Sequence, residues 1–166
     1  MTGTVEGLSE VCVMQRGQSE SVDLAGIRME WKVTERQTGH HYCLLEMTVP
    51  PGAGVPLHHH AMQETFWVVD GTAEFARVGA SGPEWVPISA GDTVHVPGWA
   101  FHGFRNGSST NTRILLTCAA GLESFFRGTG LPVAAGAELP SGPPSSEHIA
   151  QITREELKIS CFHYAG

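Results

Sequence analysis

The sequence predicts an all-β antiparallel fold, a barrel or sandwich, with short helices at the C-terminal end. Short segments alternate apolar and polar residues, which is the period of a strand with one buried face. Gly, Pro and Asn separate these segments at close and regular intervals, as in antiparallel barrels and sandwiches. The pattern changes after residue 120, where residues 121–128 and about 145–157 predict helical turns and a capped helix.

The clearest strand covers residues 27–34, in which every second residue is apolar from Ile27 to Val33. A polar stretch turns the chain at Gly39 into a second strand, residues 42–49, which two prolines end. Asp70 and Gly71 form a dipeptide favoured in hairpin turns and predict that the next strand returns beside residues 64–69. The remaining predicted strands are residues 72–78, 84–88, 92–96 and 112–118, with a weaker strand-like run at 11–14.

The length of 166 residues favours one compact domain. Residues 1–26 are interpreted as an N-terminal extension or strand, residues 27–120 as the barrel, and residues 121–166 as a helical tail that packs on it. The loop between the two helical segments is expected to be flexible. The absence of an internal repeat favours a single barrel unit.

The composition excludes several classes of partner. With a formal charge of −7 and only 10 Lys and Arg, the chain is not expected to bind nucleic acid or an anionic membrane. No stretch approaches the ~18 apolar residues of a membrane span, and the first residues do not resemble a secretory signal. Four widely spaced cysteines without a CxxC motif indicate free thiols in a reducing compartment, so we expect a cytoplasmic protein.

Three side chains that bind metals stand close together after the second strand. His58 and His60 are two residues apart, so on a strand they share a face, roughly 6–7 Å from each other. Glu64 follows at the start of the next strand, and His102 arrives later in the chain. Two histidines and a carboxylate are the ligand set of many non-haem metal enzymes. The sequence therefore predicts one divalent transition metal ion per chain. The ligand types do not distinguish between Fe, Mn, Ni, Co, Cu and Zn.

These residues lie in two motifs that resemble those of the cupin superfamily. The first runs from Gly52 through His58, His60 and Glu64 to Gly71, and the second from Gly91 through Pro97 and His102 to Asn106. One position departs from the usual form, because Trp99 stands where cupins usually carry Gly two residues after the Pro. The resemblance covers residues 52–106 and implies a jelly-roll β-barrel with His58, His60, Glu64 and His102 as metal ligands.

A single barrel with three histidines and one glutamate resembles, in particular, the quercetinase-type dioxygenases. That resemblance implies an oxidoreductase acting on an aromatic or enolic small molecule, with Glu64 as catalytic base as well as ligand. Two alternatives stay open: a non-oxidative metal enzyme such as a polyketide cyclase, lyase or isomerase, and a non-catalytic cupin that binds a small ligand. Oxygen uptake separates the first from the second, and any turnover separates both from the third.

Strand parity predicts which residues surround the metal. The expected substrate-binding residues are Leu45, Met47, Phe66, Val68 and Leu116, although ordinary barrel core explains them equally well. Phe125 and Phe126 are expected to cap the pocket or to anchor the helix. His59 should point away from the metal, and His95 is interpreted as a core histidine. The outward parity of Trp67 and the alternation in residues 27–34 predict a homodimer.

Overall fold

The structure, a computed structural model, describes residues 11–134, 137–138 and 144–165. The predicted N-terminal extension before residue 11 and, within the predicted flexible loop, residues 135–136 and 139–143 lie outside this part of the chain. The strands are β1 (Ser21–Leu24), β2 (Ile27–Val33), β3 (Tyr42–Val49), β4 (Gly54–His59), β5 (Glu64–Asp70), β6 (Thr72–Gly79), β7 (Gly82–Ser89), β8 (Thr93–Val96), β9 (His102–Arg105), β10 (Thr112–Ala119), β11 (Leu131–Val133) and β12 (Phe162–His163). The helices are α1 (Leu122–Thr129) and α2 (Ser146–Lys158), with a short 3-10 helix at Glu35–Thr38.

The strands form two antiparallel sheets that face each other. The seven-stranded sheet has the order β11-β1-β2-β3-β10-β5-β8, and the five-stranded sheet has the order β12-β4-β9-β6-β7. The alternating residues of β2 and β3 bury their apolar side chains between the sheets, as Ile27, Met29 and Cys43 show. The prediction of an all-β double sheet with short C-terminal helices is confirmed.

The alternation identified the buried faces of β2 and β3, but the predicted first strand was wrong. Residues 11–14 are not a strand, and Val11 is 93% exposed. The first strand is β1 instead, which the sequence hides because its buried positions include Ser21 and Asp23. The Ser21 hydroxyl donates to the carbonyl of Val133 at 3.1 Å, and the Asp23 carboxylate accepts from the amide of Gly26 at 2.6 Å. These partners make buried polar side chains acceptable in the strand.

The Asp70–Gly71 dipeptide does not form the predicted hairpin. β5 is already flanked by β10 and β8, so neither of its edges is free for β6. The chain therefore crosses at Gly71 from the seven-stranded to the five-stranded sheet, where β6 pairs with β7 and β9. Gly71 has a φ of 82°, and a Cβ atom there would lie 3.0 Å from backbone atoms of Asn111 and Thr112. Asp70 and Gly71 thus form the connection between β5 in one sheet and β6 in the other.

The C-terminal tail covers one opening of the barrel. α1 places Leu122 and Phe126 in the core, and α2 packs on α1. The predicted helix is capped: of the two candidate serines 145 and 146, the hydroxyl of Ser145 accepts from the amide of His148. His148 is buried and its Nε2 is hydrogen-bonded to the carbonyl of Thr129 at 2.7 Å. In the described part of the chain, no helix is long and apolar enough to cross a membrane.

Candidate metal centre

The four predicted metal ligands converge inside the barrel. His58 lies on β4 and His102 begins β9, and the two residues are directly opposite each other in the β4–β9 ladder. His60 follows the end of β4, and Glu64 begins β5 on the other sheet. One ring nitrogen from each histidine lies within 4.8 Å of the others. Two strand ends from one sheet and one from the other therefore surround a single point.

Backbone carbonyls fix the orientation of all three imidazoles. The Nδ1 of His58 is 2.8 Å from the carbonyl of Pro56, and the Nδ1 of His102 is 2.9 Å from that of Ala100. The Nδ1 of His60 is 3.1 Å from the carbonyl of Met62. Because a carbonyl only accepts, each Nδ1 must carry the proton and donate it. Each neutral ring then keeps the lone pair of Nε2 for the interior, which is the arrangement that metal-binding histidines use.

Glu64 brings a negative charge to the same point. Its Oε2 lies 2.9 Å from the Nε2 of His102 and 3.5 Å from the Nε2 of His60, and all three side chains are buried. In the neutral tautomer that the carbonyls favour, Nε2 and Oε2 are both acceptors and repel each other at this distance. A cation, either a proton or a metal ion, resolves that conflict. The donor set therefore fits a divalent transition metal ion, since imidazole and carboxylate suit such ions.

The protonation states also suit a metal. Burial lowers the pKa of His58 to about 4, and the charge of His102 acts in the same direction. Burial by itself would raise the pKa of Glu64, but when the Nε2 atoms of His102 and His60 also carry a proton, their hydrogen bonds and charges outweigh burial and bring that pKa to about 2. At neutral pH the imidazole of His58 is thus neutral and the carboxylate of Glu64 is ionised, as metal binding requires.

A second group of potential ligands is explained by hydrogen bonding. Glu35, Cys43 and Glu123 also bring ligand atoms within 4.8 Å of one another. However, Glu35 accepts from the amides of Gly121 and Glu123, and Glu123 accepts from the amide of Glu35 at 2.5 Å. The two carboxylates therefore cap the first turns of each other's helices. Cys43 lies in the core beside Cys118, and both are free thiols, like Cys12 and Cys161.

An apolar cavity of about 240 Å³ opens next to the four ligands. Of the residues predicted to bind substrate, Met47, Phe66 and Leu116 line it. Leu45 and Val68 do not: both are fully buried in the barrel core away from the cavity wall. Strand parity assigns a residue to a face of the sheet, but it does not say which residues of that face border open space. Any role of these residues in substrate binding stays a prediction.

The sequence did not indicate several residues of the cavity wall. Phe104 shares a face with His102 on β9, so strand parity alone would have placed it there. Glu156, Cys161 and His163 come from the tail, and no motif or spacing connects them with the metal ligands. Phe125 and Phe126 both line the cavity, and Phe126 is also buried in the core, so the predicted roles of cap and anchor are not exclusive.

Three further side chains lie away from the ligand set. His59 points to the opposite side, where its ring packs 4.3 Å from that of Phe101 and 5.8 Å from that of Trp99. The interpretation of His95 as a core residue was wrong, because it is exposed on β8 and hydrogen-bonded to the Thr65 hydroxyl. That strand is the edge of its sheet, so its outer side chains meet water. Trp67 is 50% exposed, as its parity predicted.

A family model described as a cupin domain matches residues 45–118. That segment contains all four predicted ligands. Among solved structures, the chain is similar to a predicted oxalate decarboxylase from Thermotoga maritima, with 20% identity and a TM-score of 0.59 over 66% of this chain and 99% of that one. The fold is a cupin jelly roll. The comparisons thus support the cupin superfamily, which the two sequence motifs indicated.

Other structures share this cupin fold at similar distance. An RmlC-like cupin from Shewanella frigidimarina is 20% identical, with a TM-score of 0.57 over 70% of this chain and 96% of that one. A variant of Bacillus subtilis oxalate decarboxylase is 20% identical, with a TM-score of 0.54 over 70% of this chain, which spans only 32% of that enzyme. No curated protein sequence matches the chain. Similarity at such low identity establishes only the fold, so the reaction must be inferred from the residues of the site.

Trp99, the residue that departs from the usual cupin motif, still adopts the backbone conformation of the turn before His102. Trp99 adopts a φ of 66°, in the left-handed region that glycine normally occupies. Its amide donates to the carbonyl of His60 at 2.6 Å, which ties this turn to a metal ligand. The neighbouring Gly98 approaches the backbone of Ala61 so closely that a Cβ atom would not fit. Close backbone contact therefore holds the turn in place, with its one glycine at 98.

Proposed function

We propose that this protein is a metal-dependent cupin dioxygenase that acts on a small, largely apolar enolic or phenolic molecule. One observation carries the proposal: three Nε2 lone pairs and one ionised carboxylate meet at the wall of an apolar cavity. His58, His60, Glu64 and His102 would hold one divalent transition metal ion. When bound, such an ion supplies open positions for a substrate oxygen and for dioxygen.

The cavity wall restricts the substrate. Apart from the four ligands, apolar side chains dominate the wall, and none of the described residues that line it is a Lys or Arg. Beside the ionised Glu64, a divalent ion would leave a net charge near +1, so a dianion such as oxalate would keep one negative charge without a positive partner in this wall, which is costly. A volume of about 240 Å³ also lies below the roughly 300–1,000 Å³ of pockets for drug-sized ligands. A compact molecule with one or two oxygen atoms beside an apolar body fits this space better.

Glu64 is assigned two roles, that of a metal ligand and that of the general base, and the experiment must distinguish them. Its low pKa keeps it ionised, so it neutralises part of the charge of a bound cation. A carboxylate with so low a pKa is a weak general base, because an efficient base has a pKa near the working pH. We assign the proton from the substrate hydroxyl to Glu64, since it is the acidic side chain nearest the three imidazoles.

The decisive experiment measures metal content and oxygen uptake together. Purified protein is loaded with Fe, Mn, Co, Ni, Cu or Zn and supplied with catechol or a small 1,3-diketone in an oxygen electrode. We expect about one metal ion per chain and oxygen consumption with at least one redox-active metal. His58→Ala should remove both, whereas His95→Gln, a change at an exposed histidine outside the site, should remove neither.

The variants also separate the alternatives. If Glu64→Gln keeps the metal and stops oxygen uptake, the carboxylate is a base as well as a ligand; if the metal is lost too, only the ligand role stands. Turnover of a substrate without oxygen uptake would favour a non-oxidative cyclase, lyase or isomerase. Metal binding without any turnover would favour a ligand-binding cupin. Failure to take up any of the six metals overturns the proposal.

A further inference from the structure

The C-terminal segment forms one wall of the metal cavity, and this segment lies outside the part of the chain that matches the cupin domain. α2 and the residues after it contribute Ile152, Thr153, Glu156, Ile159, Cys161 and His163. β12 pairs with β4, which places His163 directly opposite the ligand His58 in the ladder. The rings of these two histidines are 6.2 Å apart between centroids. The tail therefore places ionisable side chains close to the metal ligands.

Two side chains of this wall form a polar pair. The Nε2 of His163 lies 3.1 Å from the Oε1 of Glu156. The Glu156 side chain is 14% exposed and that of His163 is 47% exposed, so the pair spans the inner wall and the edge that meets solvent. Apart from the four ligands, these two and the thiol of Cys161 are the ionisable side chains of the cavity wall in the described part of the chain. Burial raises the pKa of that thiol to about 12, so it stays neutral.

The backbone holds both members of the pair in position. The amides of Ile159 and Cys161 both donate to the carbonyl of Glu156, at 3.2 and 2.9 Å. On the other side of His163, the amide of Tyr164 donates to the carbonyl of Leu57 at 2.9 Å, which extends the β12–β4 pairing. Both side chains therefore sit on backbone that is fixed against the barrel, as a recognition site requires.

Helix stability does not explain Glu156. It lies in the last turn of α2, where the negative end of the helix dipole disfavours a carboxylate. The preceding Glu155 has Lys158 as its partner, but Glu156 pairs with no Lys or Arg among the described residues. Its only side-chain partner there is His163. The arrangement is therefore better suited to orienting the imidazole than to stabilising the helix.

The carboxylate determines which nitrogen of His163 is available to a ligand. An ionised carboxylate only accepts, so the Nε2 of His163 carries the proton and donates to Glu156. In the neutral ring the Nδ1 atom then has a free lone pair and accepts. No described residue hydrogen-bonds to this Nδ1. It can therefore accept a hydrogen bond from a hydroxyl or N–H group of a molecule in the cavity.

We propose that His163, positioned by Glu156, is the specificity-determining residue of the site and selects substrates that carry a further hydroxyl group besides the oxygen atoms at the metal ligands. Resting on the proposed function, this inference narrows the substrate to a compact enol or phenol that has one hydroxyl group for His163 in addition to the oxygen atoms at the metal ligands. A hydroxyl group that reaches the Nδ1 of His163 adds a hydrogen bond that the analogue without this group cannot make, so the site discriminates between the two molecules.

The test compares two ligands on zinc-loaded protein without oxygen, so that binding is measured apart from oxidation. The probes are catechol and 1,2,4-benzenetriol, which differ by one hydroxyl group, and the readout is titration calorimetry. We expect wild-type protein to bind the triol at least tenfold more tightly than catechol. His163→Phe keeps a ring but removes the acceptor, so it should reduce this ratio to about one while catechol affinity changes by less than about twofold.

Further variants distinguish recognition from a structural role. Glu156→Gln should lower the ratio partly, because an amide no longer fixes the tautomer of His163. Glu155→Gln, the matched change one residue earlier, should leave the ratio as in wild type. If His163 merely holds β12 to α2, His163→Phe will weaken both ligands equally, which overturns the inference. The inference also fails if wild-type protein shows no preference or if the preference survives His163→Phe.

Failure of this inference differs from failure of the proposed function. Protein that binds zinc and catechol but does not prefer the triol overturns the role of His163 alone. Protein that takes up no metal overturns the proposed function, and the inference with it. Protein that prefers the triol but shows no oxygen uptake with redox-active metals retains the recognition site and loses only the dioxygenase activity.

Discussion

The carboxylate of Glu64 lies 2.9 Å from the Nε2 of His102, although the two residues belong to different sheets. Glu64 begins β5 of the seven-stranded sheet, and His102 begins β9 of the five-stranded sheet. A cation held by both side chains therefore links the two layers of the barrel. Because such an ion binds the folded protein and finds no equivalent site in the unfolded chain, binding must stabilise the fold.

Metal binding is expected to raise the melting temperature. A ligand at 100 times its Kd stabilises the native state by about 2.7 kcal/mol, which corresponds to roughly 5–10 °C for a domain of this size. Differential scanning fluorimetry of metal-free protein, with and without added metal, checks this. His102→Ala should abolish the shift, and His95→Gln should keep it. An equal shift in His102→Ala would show that the metal binds elsewhere.

Metal-free protein should lose stability in acid, and His58 determines where the loss begins. Burial and the charge of His102 lower its pKa from 6.5 to about 4, so the unfolded chain takes up the proton first. The free energy of unfolding should therefore fall as the pH drops from about 6.5 to about 4, by on the order of 3 kcal/mol. Glu64, with a pKa lowered from 4.5 to about 2, adds a second loss between these values.

Urea denaturation of metal-free protein at a series of pH values measures this dependence. His58→Gln removes the titrating group, so its unfolding free energy should change much less between pH 6.5 and pH 4.5. His95→Gln should follow the wild-type curve, because that histidine is exposed. A His58→Gln curve that parallels wild type over this interval would contradict the assignment.

Gly103 is expected to be essential for the distance between β4 and β9. A Cβ atom at this position would lie 2.8 Å from the carbonyl oxygen of Val55 and 3.0 Å from that of Pro56. Gly103→Ala should therefore push β4 away and separate His58 from His102, with a loss of about 1–3 kcal/mol of stability and weaker metal binding. Gly79→Ala is the control, since its nearest neighbour would be 4.0 Å away. Unchanged metal affinity in Gly103→Ala would count against this account.

Asn106 should stabilise the loop after β9 through its side-chain amide. Its Nδ2 donates to the carbonyls of Val49 and Thr110, both at 2.8 Å, and its Oδ1 accepts from the amide of Ser108. Asn106→Ala leaves these buried groups without partners and should cost about 1–3 kcal/mol in chemical denaturation. Asn111→Ala, a change at an exposed residue of the same loop, should cost little. Equal effects of the two changes would contradict the prediction.

We further propose that the protein is a homodimer. Trp67 is half exposed on the outer face of the seven-stranded sheet, directly opposite Leu115 of β10, and large apolar side chains in such positions favour a partner surface. Light scattering should give twice the chain mass of 17.8 kDa at micromolar concentration. Trp67→Glu should shift the protein towards the monomer. A wild-type monomer across this range would refute the proposal.

His58 and His60 could be predicted from the sequence because their spacing is a local property of the backbone, whereas the full ligand set with Glu64 and His102 rested on the resemblance to the cupin motifs. Side chains two residues apart on a strand share a face, which brings His58 and His60 together, and parity likewise turned Phe66 inward and Trp67 outward. The same rule identified the buried face of β2. Such alternation reports the face of a sheet and depends on no distant residue.

Only the tertiary structure decided which strands are neighbours and where space remains between them. Asp70 and Gly71 have the chemistry of a hairpin, yet β5 already has partners on both edges, so the chain turns to the other sheet. Leu45 has the correct parity for the cavity and lies directly opposite Leu116, which lines it, yet Leu45 itself is covered by other side chains. His163 reaches the metal ligands through pairing with a strand about a hundred positions earlier. Pairing partners and packing depth arise from contacts between distant segments, which a local period does not encode.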